Sequence, residues 1–117
     1  MNPNKTDRNW GYYTVLYELG DHVKVKELTV DPGQRLSMQR HERRAEHWFV
    51  AEGIATVYTI NRKSDAECLG EFKKFQTIHI DRRQWHQLCN ETDQALRIVE
   101  IQYGVSCVEE DIERQII

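Results

Sequence analysis

The sequence predicts an all-β fold, a jelly roll closed around a central pocket. Three observations carry this. About eight to ten short stretches rich in Val, Ile, Tyr and Thr recur at regular spacing, each ended by turn-forming residues. Helical periodicity is almost absent, and only the tail, Glu109 to Ile116, suits a short helix. The 117 residues, 39% apolar and 30% charged, fit one globular domain over 1–117 and are too few for two.

Taken in order, residues 1–9 are polar and read as a loose arm. Trp10 to Tyr17 is aromatic and β-prone, and Leu19-Gly20-Asp21 turns the chain. Val23 to Val30 alternates, with Val23, Val25 and Glu27 on one face and Lys24, Lys26, Leu28 and Val30 on the other. If Leu28 and Val30 face inward, so does Lys26, which then needs a partner. Asp31-Pro32-Gly33-Gln34 is a turn, followed by a short strand from Leu36 to His41. Glu46 to Ala51 is the next strand, and Glu52-Gly53 suits a tight hairpin into Ile54 to Ile60. Asn61 to Asp65 is a loop tip. Glu67 to Phe72 and Thr77 to Ile80 are strands around a Lys73-Lys74 turn. Asp81 to Gln84 and Asn90 to Asp93 are turns, and they bracket strands at Trp85 to Cys89 and Ala95 to Tyr103.

The net charge of −3 supplies no field for nucleic acid or an anionic membrane. Local clusters such as Arg40, Arg43 and Arg44 leave room for a small anion. No stretch approaches the roughly 18 apolar residues of a membrane span, and the polar start has no secretory apolar core. The three cysteines, Cys68, Cys89 and Cys107, have no CxxC spacing. That argues for reduced thiols in a cytoplasmic protein and against a thiolate zinc site.

Between Gly33 and Gly53 stand Gln39, His41 and Glu46. Gln39 and His41 are two apart, so a strand projects them from one face. With His86 they offer an amide oxygen, two imidazoles and a carboxylate. Such a mixed set suits one divalent ion of Zn, Mn, Fe, Ni or Cu. The spacing alone is weak, because a polar, solvated strand end would look the same.

These residues resemble a known family. Gly33, Gln39, His41, Glu46 and Gly53 match the first cupin motif, with Gln39 where most members have histidine, and His86 with Asn90 matches the end of the second. The chain is more specifically similar to the cupin domain of type II mannose-6-phosphate isomerases. The similarity lies in Arg8 to Gly11, Val25 to Gly33, Leu36 to Trp48, Gln102 to Gly104 and Glu110 to Arg114. The resemblance implies a double-stranded β-helix, a metal bound by Gln39, His41, Glu46 and His86, and a homodimer. It implies a sugar or sugar phosphate as ligand and aldose–ketose isomerisation as the reaction. Lys26 would bind phosphate or stabilise an enolate oxyanion, and Arg44 and Arg114 would clamp an anion. The general base stays open between Glu46 and Lys26. One departure matters: relatives carry further histidines where this chain has Glu42-Arg43. A sugar-binding cupin without turnover and an iron-dependent oxygenase therefore remain as alternatives.

Overall fold

The computed structural model describes residues 4–115. In chain order the strands are β1 (Lys5–Arg8), β2 (Gly11–Leu19), β3 (Val23–Val30), β4 (Met38–Arg40), β5 (Arg44–Glu52), β6 (Ala55–Ile60), β7 (Ala66–Phe72), β8 (Thr77–Ile80), β9 (Gln87–Cys89), β10 (Leu96–Gly104) and β11 (Glu113–Gln115). One six-stranded antiparallel sheet runs β1-β2-β3-β10-β5-β8. Facing it are β7-β6-β9 and the pair β11-β4. Bridges Arg35 to Cys89 and Gln39 to His86 join these two into one layer.

The core between the layers is Leu28, Val30, Trp48, Val50, Ala55, Val57, Ile78, Ile80, Leu88, Leu96 and Ile98. Alternation along β3, β5 and β10 puts every second side chain inside. Register then stacks these residues in rows. Val30, Leu96 and Leu28, Ile98, Val50 form apolar rows. The next rows turn polar: Lys26, Glu100 and Trp48, then Gln102 and Glu46. The same three strands thus make an oily floor and a charged upper half.

Three sequence expectations change. The arm is not loose over Lys5–Arg8, which pairs with β2; residues 1–3 lie outside the described part. The tail is not helical. Glu113–Gln115 is a strand on β4, and Ile116 lies outside the described residues. Glu52-Gly53 does not close a hairpin, because β5 belongs to the six-stranded sheet and β6 to the opposite layer. The turn expected at Lys73-Lys74 is present, at Lys74-Phe75, and it likewise carries the chain from one layer to the other, β7 to β8. Gly53 still marks a true corner: its φ is 87°, and a Cβ there would sit 2.7 Å from the Ala95 carbonyl oxygen. Among the described residues no helix is long and apolar enough to cross a membrane.

Candidate metal centre

Three predicted ligands meet. His41, Glu46 and His86 are each buried, and their ligand atoms lie within 4.8 Å of one another. Glu46 points inward because it alternates with Arg44 and Trp48 on β5. His86 is held by a doubly hydrogen-bonded bridge to Gln39, both N–H to O distances being 2.9 Å. Directly opposed residues share a face of the layer, so the bridge brings Gln39 beside His86.

Both imidazoles are oriented by backbone carbonyls. His41 Nδ1 lies 2.7 Å from the Asp111 carbonyl oxygen, and His86 Nδ1 lies 2.8 Å from that of Gln84. A carbonyl only accepts, so Nδ1 carries the proton and Nε2 presents a lone pair. Those lone pairs face Glu46, at 3.2 Å from His41 and 3.9 Å from His86. Burial, with help from Arg44 and His86 against the pull of Glu46, lowers His41 to about 4. The ring is therefore neutral at pH 7, and its contact with Glu46 sets acceptor against acceptor. Such a convergence calls for a cation, and the donor set fits a divalent metal of the first transition row.

Arg44 supplies part of that positive charge. Its Nε donates to Glu46 Oε2 at 3.1 Å, its Nη2 lies 3.2 Å from His41 Nε2, and its Nη1 donates to the Val108 carbonyl at 3.2 Å. The Trp48 indole N–H donates to Glu46 Oε1 at 2.9 Å. Burial alone would raise the Glu46 pKa, but His86, Arg44, His41 and this indole N–H overcome it and hold the carboxyl at about 2. Glu46 is thus an anion throughout the ordinary pH range. The Gln39 amide nitrogen turns to Ser37, 3.4 Å from its carbonyl and 3.3 Å from its hydroxyl. The Gln39 amide oxygen has no protein donor among the described residues.

Beside this cluster opens a cavity of about 360 Å³, lined by Gln39, Glu46 and His86 but not by His41, whose Nε2 meets the cavity-lining Arg44. Its walls also carry Lys26, Arg44 and Arg114, the three predicted anion-binding residues, together with Arg8 and Arg35. Lys26 is buried as its alternation implied, and its partner is Glu109, 2.5 Å away, with the Tyr13 ring 4.1 Å from its Nζ. Arg114 is exposed and donates to Ser37 Oγ at 3.3 Å.

Sequence reasoning missed three residues here. Glu100 and Gln102 are buried cavity walls, although the alternation of Leu96 and Ile98 on the same strand already pointed them inward. Asp111 lies in the family-like segment Glu110 to Arg114, of which only Arg114 was given a role. Its carboxylate accepts from the backbone N–H groups of Glu42 at 3.1 Å and Arg43 at 2.9 Å, while its carbonyl orients His41.

The family model described as "Mannose-6-phosphate isomerase C-terminal" matches residues 2–116. The chain belongs to this family. Relatives include the alginate biosynthesis protein AlgA of Pseudomonas aeruginosa, 39% identical over 107 residues, covering 92% of this chain and 21% of AlgA. The mannose-1-phosphate guanylyltransferase of Escherichia coli K12 is also 39% identical over 107 residues, with the same coverage. The chain thus spans about a fifth of these relatives' length. Among solved structures, CapF of Staphylococcus aureus superposes with a TM-score of 0.81 at 15% identity, covering 97% of this chain and 34% of CapF. Oxalate decarboxylase of Bacillus subtilis gives 0.79 at 14% identity, covering 94% of this chain and 29% of that one. Those likenesses show the fold, which is the double-stranded β-helix of the cupins.

Proposed function

We propose that this member of the mannose-6-phosphate isomerase C-terminal family is a metal-dependent isomerase of a phosphorylated aldose–ketose pair, such as mannose 6-phosphate and fructose 6-phosphate. One observation carries the reading: a single cavity joins the His41–Glu46–His86 cluster to a cationic wall of Lys26, Arg8, Arg35 and Arg114. A sugar phosphate has matching ends, a carbonyl–hydroxyl pair and a dianion. The names of the relatives, which include a mannose-1-phosphate guanylyltransferase, support a sugar-phosphate ligand.

Gln39, His41, Glu46 and His86 would hold the metal, which would polarise the vicinal oxygens of the sugar. Arg114 and Arg35 would take the phosphate, since guanidinium forks suit its oxygens. Arg44 lies deeper and is engaged with Glu46, so its part is to hold that carboxylate in place. Leu28, Leu36, Trp48 and Leu88 give the cavity an apolar side that excludes water from the reacting carbons. The protein would act as a homodimer. Phe49, Ile101 and Tyr103 are exposed on the outer face of the large sheet, and light scattering tests it.

The test is metal analysis of the purified chain followed by a coupled isomerase assay with mannose 6-phosphate. We expect about one divalent ion per chain, and turnover that His86→Ala abolishes together with the metal. Tight sugar-phosphate binding without turnover would replace this reading with a binding module. Iron-dependent oxygen uptake would replace it with an oxygenase.

A further inference from the structure

Three carboxyls line the cavity, and they are not equivalent. Glu46 is engaged by Arg44 and Trp48 within the ligand cluster, and Glu109 by Lys26 and Tyr13. Among the described residues Glu100 forms no ion pair, although Lys26 and Arg44 are near enough to act on it. Among the described residues its carboxyl receives a single hydrogen bond, from the neutral amide of Gln102 at 2.6 Å. We propose that Glu100 is the catalytic acid–base residue, which takes the proton from one of the two reacting carbons of the sugar phosphate and returns it to the other. The proposal rests on the isomerase reading and deepens it.

Placement supports the role. Register puts Glu100 between Lys26 on β3 and Trp48 on β5, while Gln102 is opposite Glu46. Glu100 therefore lies one inward position from the ligand row, about 7 Å along the strand. A carbonyl–hydroxyl pair gripped at the ligand row would present its adjacent carbons toward that position. The Gln102 side-chain oxygen is a second pointer. It is buried, belongs to a cavity-lining residue and has no hydrogen-bond partner among the described residues. Orphaned acceptors of this kind are costly, and a sugar hydroxyl would satisfy it.

The chemistry balances without a co-reactant. The Glu100 carboxylate takes the proton from C2, the C–H pair becomes the C1=C2 bond, and the carbonyl pair moves onto O1. Glu100 then gives that proton to C1 as O2 becomes the carbonyl oxygen, and the proton lost from O2 ends on O1. Burial, reinforced by Glu46 and opposed by Lys26, Arg44 and the Gln102 amide, pushes Glu100 up to about 8. Both protonation states are then populated near neutrality, as a shuttle needs. The charged and ionisable groups that share the cavity with it are Arg8 on β1, Tyr13 on β2, Lys26 on β3, Arg35 before β4, Arg44 and Glu46 on β5, His86 before β9, and Glu109 and Arg114 in the tail.

The experiment compares the metal-loaded wild-type chain with Glu100→Gln in deuterated water, following turnover and solvent-isotope entry at the reacting carbons. Loss of both by about 10²-fold or more, with metal content and sugar-phosphate affinity retained, is expected. The acid limb of the wild-type kcat/KM profile should also vanish from the residual activity. If Glu100→Gln stays within about threefold of wild type, or keeps the same acid limb, the assignment is overturned. Should that variant fail to fold, Glu100→Asp, which keeps the carboxyl but draws it back by one methylene, decides. Turnover and isotope entry lowered together with metal content and sugar-phosphate affinity retained are expected, and wild-type values for both overturn the assignment. A wild type without isomerase turnover sinks the isomerase reading itself, whereas an active wild type with an active Glu100→Gln sinks only this one.

Discussion

At the scale of single residues, two buried glutamates on neighbouring strands are pushed in opposite directions. Glu46 sits among donors and stays ionised, while Glu100 meets mainly desolvation and a like charge. Their pH windows follow from the signs. The folded pKa of Glu46, about 2 against 4.5, makes its contribution present above pH 4.5 and lost as the pH falls toward 2. The folded pKa of Glu100, about 8 against 4.5, makes its contribution fully present below pH 4.5 and lost as the pH rises through 8. Above pH 4.5 the unfolded chain ionises Glu100 freely, whereas the folded chain must keep it protonated or bury a charge. Glu100→Gln cannot ionise. In denaturant titrations of the metal-free chain it should gain on wild type by a few kcal/mol between pH 5 and pH 8, each pKa unit being worth about 1.4 kcal/mol. A constant difference across that interval would mean that Glu100 is ionised in the fold.

At the scale of elements, the tail between Cys107 and Gln115 does most to shape the site. It supplies Glu109 to Lys26, the Val108 carbonyl to Arg44 and the Asp111 carbonyl to His41, and then locks onto β4 as β11. Little of this was legible in the sequence. Glu113–Gln115 is three residues long and exposed, so it has no burial alternation to reveal a strand, and it is held by backbone pairing. By contrast, β3, β5 and β10 are half-buried, and their alternation was readable down to Lys26. The Glu52-Gly53 corner shows another limit. Turn chemistry marks a residue at positive φ but does not say whether the next strand pairs with the last or crosses to the other layer. Asp111→Ala tests the tail's part in the centre. It removes the acceptors for the Glu42 and Arg43 N–H groups and loosens the carbonyl that orients His41. Chelator competition should show metal affinity reduced by about tenfold, the low end for an outer partner of a ligand. Because the freed N–H groups lie near solvent, stability should fall by only about 1 kcal/mol. Glu110→Ala, at an exposed neighbour, should change neither; equal affinities for all three proteins would make the tail irrelevant to the metal.

At the scale of the whole molecule, the inward face divides into an apolar half and a charged half. The eleven-residue core contains none of His41, Glu46 or His86. Val30, Val50, Leu96 and Ile98 from the large sheet belong to one apolar cluster with Ala55, Val57 and Leu88 from the facing layer, and the cluster does not include the metal-site residues. In the metal-free chain Arg44 already meets the two acceptors that face each other most closely, His41 Nε2 and Glu46 Oε2. The fold should therefore survive removal of the metal, unlike small domains in which the ion substitutes for a core. Metal binding would still stabilise the native state by mass action, about 3 kcal/mol at a hundredfold excess over Kd. For a chain of this size that corresponds to a rise in Tm on the order of 10 °C. The measurement is thermal unfolding with and without chelator, followed by circular dichroism. Chelation should leave the far-ultraviolet β spectrum unchanged while Tm drops, and His86→Ala should start from the lower Tm and respond to neither metal nor chelator. Unfolding of the chelated wild type at room temperature would show that the charged half, and not the apolar floor, holds the two layers together.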